Sequence, residues 1–221
     1  MIKLSKRLQA VADLVDPGCY LADVGSDHAQ LPVYLLQKGT VKWVQAIENK
    51  MGPYLRMKAA LDGVGFASHV LCTLADGLDE LSNEVSALTI CGIGGLLTCQ
   101  ILEKNPHKLD NISSIILDPH RDLVAVRERV SSLGFHIVDE TIVYEDKIYY
   151  SIMKWGRGAP SQPYSEDELL FGPILMHKKG DIYHDYIVDQ RKKVNAILNG
   201  ALPKDKREYY LNLYRRITAQ L

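Results

Sequence analysis

The sequence predicts an α/β fold: a mixed sheet of seven strands, five of them in strand–helix units and two in a closing antiparallel hairpin, followed by a C-terminal α-helical hairpin. Three observations carry this. Short apolar runs end again and again in an acid or a glycine and lead into helical periodicity. Two extended runs, 135–144 and 147–155, are separated by Glu145-Asp146 alone, the spacing of a β-hairpin. Beyond the Gly/Pro-rich stretch Gly156-Arg157-Gly158-Ala159-Pro160-Ser161-Gln162-Pro163, apolar residues recur only at helical intervals. Residues 1–158 are therefore read as a Rossmann-like domain and 159–221 as a coiled-coil-like helical hairpin. A plain dinucleotide fold more often ends in further parallel units than in a hairpin.

Each element has its own signal. Leu4, Leu8, Val11 and Val15 repeat at helical spacing until Asp16-Pro17-Gly18 stops them, and Arg7 on that helix has a surface role by default. A strand over about 19–24 leads through Gly25 to a helix from Leu31 to Lys38 that Gly39 ends. Trp43–Ile47 forms the second strand, and Gly52-Pro53-Tyr54 opens a helix whose inner face is assigned to Leu55, Ala59 and Leu61 or Val64. Strands at 70–74, 87–91 and 114–117 end in Ala75-Asp76-Gly77, Gly92-Ile93-Gly94-Gly95 and Asp118-Pro119-His120. Ser165 with Glu168 is a capping box for a short helix that Gly172-Pro173 ends. Two longer helices come next, one carrying Ile182, Tyr186, Val194, Ile197 and Leu198, the other beginning near Pro203. Their short connection predicts antiparallel packing.

A chain of 221 residues with 47% hydrophobic and 24% charged content can bury a real core. Cys19, Cys72, Cys91 and Cys99 stand apart without metal-ligand spacing and read as reduced thiols. The seven histidines do not combine with them into a zinc site, and no metal is expected. No signal core or membrane-length apolar run is present, so a soluble cytoplasmic protein is expected, with no membrane role and no obligate protein partner inferred. The net charge of −1 is uneven. Residues 177–221 hold ten Lys/Arg against five acids, an excess of +5 that leaves −6 on the remainder. That asymmetry reads either as a solvated helical face or as a basic arm for an anionic partner.

Asp23, Glu48 and Asp76 stand at the ends of the first three strands, which in a parallel sheet share one edge. Acids there are helix caps or a ligand row. As a row they suit a nucleoside: Glu48, 25 residues after Asp23, takes the two ribose hydroxyls, Asp76 the adenine amino group, and Asp23 with the Gly25 turn an ammonium. S-adenosylmethionine fits this better than NAD, because Asp27 and Ala29 replace the glycines that a pyrophosphate loop needs.

The combination of Ser5-Lys6-Arg7-Leu8, Asp23-Val-Gly-Ser-Asp-His-Ala29, Leu31-Pro32, Glu48 with Gly52-Pro53-Tyr54, Ala75-Asp76-Gly77-Leu78, Gly92-Ile-Gly-Gly95 and Phe171-Gly172-Pro173 resembles the bacterial TrmK family, the tRNA (adenine(22)-N(1))-methyltransferases. The likeness runs nearly end to end. It implies a class I S-adenosylmethionine-dependent methyltransferase fold and methylation of a tRNA adenine at N1. It also implies a donor site lined by Asp23, Gly25, Ser26, Asp27, Glu48, Asp76, Gly77 and Gly92, with Asn49 beside Glu48. The chain departs from the family's usual residues at Gln30, at Leu96-Leu97 and at Asp118-Pro119-His120, so the donor half matches more closely than the acceptor half.

Adenine N1 attacks through a free lone pair, so orientation rather than proton removal sets the chemistry. The product ring is cationic. Asp118 is the candidate to stabilise the growing charge, with His120 orienting it or accepting a proton and His28 bordering the pocket. For Asp118 a helix cap, and for His120 a surface position, are the structural alternatives. Arg7, Arg191, Lys192 and Lys193 are the candidate RNA contacts, with the tyrosines at 183, 186, 209, 210 and 214 interleaved. Two other functions fit the same residues: a relative with another RNA target or weak activity, and a non-catalytic RNA-binding module that keeps the crevice as scaffold.

Overall fold

The structure, a computed structural model, describes residues 1–221. Seven strands form one sheet: β1 (Tyr20–Val24), β2 (Trp43–Glu48), β3 (Val70–Leu74), β4 (Ala87–Cys91), β5 (Ser114–Asp118), β6 (Phe135–Glu145) and β7 (Ile148–Arg157). Their order is β3-β2-β1-β4-β5-β7-β6. β1 to β5 pair in parallel, and β7 is antiparallel to both β5 and β6. β6 therefore runs in the same direction as β1–β5, and Glu145 at its end reaches the edge where their carboxyl ends lie. The order reverses between β1 and β4, and such a reversal opens a crevice at the carboxyl ends of the strands.

The sequence explains the layering. Leu21, Ala22, Val44, Ala46, Ile47, Leu88, Ile90, Ile115, Ile116 and Leu117 are all fully buried. Continuous apolar runs of this kind mark strands covered on both faces. The covering helices are α1 (Lys6–Leu14), α2 (Gln30–Lys38), α3 (Met51–Asp62), α4 (Gly95–Lys104) and α5 (Leu123–Ser132). Ser5 caps α1 through its side-chain oxygen, which accepts from Leu8 N at 3.2 Å. The Glu145 carboxylate also accepts from Lys6 N (2.7 Å) and Arg7 N (3.4 Å), tying the first helix to the end of β6. On the other face Arg127 of α5 and Glu140 of β6 form a fully buried pair at 2.9 Å.

The chain divides into two compact units, Met1–Pro163 and Tyr164–Leu221. The second unit holds α6 (Glu166–Phe171), α7 (Pro173–Lys178), α8 (Asp181–Leu198) and α9 (Lys204–Thr218). The Ser165–Glu168 capping box starts α6. Arg216 of α9 holds Asp167 and Glu166, each at 2.6 Å, and α8 packs on α9. No helix of the chain is long and apolar enough to cross a membrane.

Three expectations are corrected and a fourth, the helix stop at Gly172-Pro173, is extended. α3 buries Met57 and Leu61 and leaves Leu55 56% exposed, with Ala59 exposed too: the inner stripe runs 54–57–61, one phase away from the expected face. The hairpin turn is Asp146-Lys147, both with positive φ (49° and 65°), the two-residue turn whose twist matches the strands. Pro173 does not merely end a helix but opens α7, its missing N–H falling where none is needed. In α8 the buried stripe is Tyr183, Ile187, Val194 and Leu198, while Ile182 and Ile197 face outward.

Candidate active site

The strand ends build the site. Gly25, at the end of β1, has φ +79°, and a side chain on it would meet nothing within 4 Å, so the turn faces open space. Gly25 N and Ser26 N both donate to Ile47 O of β2, at 2.9 and 3.3 Å, which fixes the turn against the neighbouring strand. Asp27 (φ 30°) and Ala29 (φ 51°) are held in the left-handed region without being glycines. Local strain of this kind gathers at ligand-holding junctions.

The acids divide between two adjoining pockets. The first, of about 270 Å³, lies between β1, β2 and β3 and has apolar walls from Ile47, Pro53, Ile93, Leu97 and Ile101. Glu48 lies at its floor, 7% exposed. Its Oε1 accepts from Asp27 N at 2.9 Å and its Oε2 from Asn49 N at 3.2 Å, so the carboxylate is fixed while each oxygen keeps a lone pair. Asn49, Asp76 and Gly77 line the same pocket. Asp76 is 66% exposed and pairs with Lys104 at 2.9 Å. Lys104 also bonds Asp79 at 2.8 Å, and that bond, with one from Asn105 at 2.7 Å, holds the Asp79 carboxyl below its ordinary range.

The second pocket, of about 210 Å³, shares Gly25 and Asp27 with the first and is lined also by Arg7, Asp23, Ser26, His28, Gln30 and Cys91. Asp23 lines this second pocket rather than the first. It accepts from Ser26 Oγ and from Thr89 Oγ1, both at 2.6 Å, and burial raises its pKa against these two bonds. Asp27 pairs with Arg56 at 2.7 Å, and the exposed His28 ring lies 3.6 Å from it.

The ends of β4, β5 and β7 make a third group. Asp118 is fully buried, and its Oδ2 accepts from Arg7 Nη1. The expected orienting partner, His120, is not the one the structure provides. His120 stands instead edge-on to Tyr150, with ring centroids 5.4 Å apart, and the Arg7 guanidinium lies over the same Tyr150 ring at 5.3 Å. Gly92 (φ +75°) closes the group: a methyl group on it would lie 3.7 Å from Arg7 Nη1 and 3.9 Å from His120 Nε2. Burial raises the Asp118 pKa to about 6 against the pull of Arg7, and burial together with the Arg7 charge lowers that of His120.

Arg191, Lys192 and Lys193 lie on α8 in the second unit, with Lys192 and Lys193 exposed and Lys193 paired to Asp189 at 2.7 Å. Tyr183 is buried and Tyr209 is 62% exposed. Thr89, Arg56, Lys104 and Tyr150 are the participants that sequence reasoning misses. Only Thr89 leaves a signal, since it lies opposite Asp23 once β1 and β4 are known to pair. No group of three or more His, Cys, Asp or Glu is placed to hold a metal ion.

Residues 4–153 match the family model described as a methyltransferase domain. A tRNA (adenine(22)-N(1))-methyltransferase of Bacillus subtilis (strain 168) is 35% identical over 187 residues, 82% of this chain and 79% of that protein. The crystal structure of Streptococcus pneumoniae Sp1610 in complex with S-adenosyl-L-methionine is similar at a TM-score of 0.91 and 32% identity, over 99% of this chain and 100% of that one. M. capricolum TrmK in complex with S-adenosyl-homocysteine is similar at a TM-score of 0.87 and 28% identity, over 98% and 96%.

Proposed function

We propose that this chain, which belongs to the tRNA (adenine(22)-N(1))-methyltransferase family, transfers a methyl group from S-adenosylmethionine to N1 of adenine 22 in tRNA, in the cytoplasm where tRNA is found. The observation that carries the reading is Glu48: a carboxylate clamped by two backbone N–H groups at the floor of an apolar-walled cleft beside an open glycine turn. That is what a nucleoside requires. The free lone pairs of Glu48 accept the ribose hydroxyls, with Asn49 beside it, and the apolar walls enclose a purine. Asp76, next to Gly77, accepts from the amino group. Its exposed bond to Lys104 is weak enough to give way. Glu48 is the one acid of the cleft without a cationic partner, since Asp27 pairs with Arg56 and Asp76 with Lys104, and a carboxylate at the floor accepts hydroxyls where a pyrophosphate would be repelled.

The second pocket takes the amino-acid end, with Asp23 and Ser26 toward the ammonium and the Gly25 turn between the two halves. When bound, S-adenosylmethionine supplies a methyl group on a positively charged sulfur, reactive toward an uncharged nitrogen. The protein's task is then alignment and charge. Gly92, His120 and Tyr150 flank the acceptor side, and His28 lies at the pocket rim. His120, its pKa lowered by burial, is neutral at pH 7, adds no positive charge beside the ring being methylated and is able to accept from its amino group. Arg191, Lys192 and Lys193 meet phosphates of the tRNA.

The test is methylation of tRNA by wild type and by Glu48→Ala, with the modified position mapped by nucleoside mass spectrometry. N1-methyladenine at position 22 from wild type and none above background from the variant is the expected result. Methylation of another base, or of none by wild type, sinks the reading.

A further inference from the structure

The group at the ends of β4, β5 and β7 holds a carboxylate that no substrate can reach. Asp118 is fully buried, one oxygen is taken by Arg7, and the other, also buried, has no partner. Between it and the second pocket stands Arg7, which lines that pocket and keeps 20% of its side chain exposed. A long surface arginine is ordinarily mobile. This one is fixed three times: its backbone N–H by Glu145, its guanidinium by Asp118, and the face of its guanidinium by the Tyr150 ring.

Ordering an arginine costs side-chain entropy, and here that cost is met before any ligand arrives. A guanidinium carries five N–H donors, so the bond from Nη1 to Asp118 leaves donors to spare. Arg7 is also the one Lys or Arg among the residues lining the second pocket, where Asp23 and Asp27 supply negative charge. An oxyanion entering there has a single cation to meet. Methylation at N1 leaves the adenine cationic, and an unpaired arginine nearby opposes that. The carboxylate behind Arg7 offsets its charge while leaving its remaining donors in place.

We propose that Asp118 is a positioning residue that acts on the reaction only through Arg7, and that Arg7 receives an oxyanion in the second pocket, either the donor's carboxylate or a phosphate of the RNA. The proposal rests on the methyltransferase reading above. It assigns Asp118 to the protein's own framework rather than to contact with the base.

The test is a double-mutant cycle on the full chain, with Arg7→Ala, Asp118→Asn and both together. Each is assayed for kcat, for KM toward tRNA and for S-adenosylhomocysteine affinity by calorimetry. Arg7→Ala is expected to lower kcat/KM about a hundredfold and Asp118→Asn about tenfold, with the double variant no worse than Arg7→Ala. A weaker S-adenosylhomocysteine affinity in Arg7→Ala identifies the donor carboxylate as the oxyanion. A higher KM for tRNA with that affinity unmoved identifies a phosphate. A further tenfold loss when Asp118→Asn is added to Arg7→Ala overturns the proposal, as does an Arg7→Ala enzyme with both quantities unchanged. Should Asp118→Asn fail to fold, Arg7→Lys and Arg7→Gln put the same question with the carboxylate intact. Lysine keeps the ion pair and is expected within about tenfold of wild type, with glutamine near the alanine level, and equal losses in the two overturn the proposal. A wild type that neither methylates tRNA nor binds S-adenosylhomocysteine defeats the parent reading instead.

Discussion

The two sides of the crevice are built differently. The nucleoside cleft is assembled by neighbours: Glu48 is held by backbone N–H groups of the adjoining turn and of the next residue, and its wall acids are exposed. The acceptor side is assembled by distant parts of the chain, with Arg7 and Asp118 separated by 111 positions and the carboxylate fully buried. At the rim of the first, an exposed acid such as Asp76 can be altered with little effect on the fold. The second is part of the fold, so a change there registers in stability as well as in chemistry.

The largest effect is expected where the contrast is sharpest. Glu48→Ala removes two hydrogen bonds to a charged acceptor, about 3 kcal/mol together, and should weaken S-adenosylhomocysteine binding roughly a hundredfold in calorimetry. A loss below about threefold would mean that the ribose is held elsewhere. Next comes Asp118. Its folded pKa of about 6 lies above the unfolded value of about 3.9, so the native state binds this proton more tightly. Asp118 therefore favours the fold most below pH 4, and that contribution falls by about 2–3 kcal/mol as the pH rises to 6. Urea unfolding of wild type minus Asp118→Asn, measured from pH 4 to 7, should show this slope. A flat difference would place Asp118 in a more polar setting than its burial indicates.

Further down the scale, replacing Arg191, Lys192 and Lys193 by alanine should raise the KM for tRNA. It should also lower the slope of log affinity against log salt by about one for each phosphate that is no longer neutralised, with S-adenosylhomocysteine binding unchanged. An unaltered salt slope would remove these residues from the RNA interface. The smallest effect belongs to the nucleoside side. Lys104→Ala breaks only exposed pairs with Asp76 and Asp79 and should move the melting temperature by less than about 2 °C. A larger shift would mean that this rim, too, is structural.

The same contrast decides what can be read from the chain. The parallel strands announce themselves by apolar runs with an acid or glycine at the end, and Glu48 is legible from its place at the end of β2. The pairing of Arg7 with Asp118 is not, because no periodicity links a residue on the first helix to one at the end of the fifth strand. The face of α3 is misjudged for a related reason: Leu55 is apolar and well spaced, but only the sheet beneath decides that Met57 and Leu61 turn inward. Proline at 173 reads equally as a stop and as a start, and only the helical turn formed by residues 173–178 decides between them.

Glu145 grips the backbone of Lys6 and Arg7 across 139 and 138 positions. The loop closed by this grip spans nearly the whole first unit, and closing it last falls to the hairpin of β6 and β7. Arg7 therefore gains its full set of partners only when the hairpin that carries Glu145 and Tyr150 is docked beside β5, which makes the far end of the first unit a builder of its first helix.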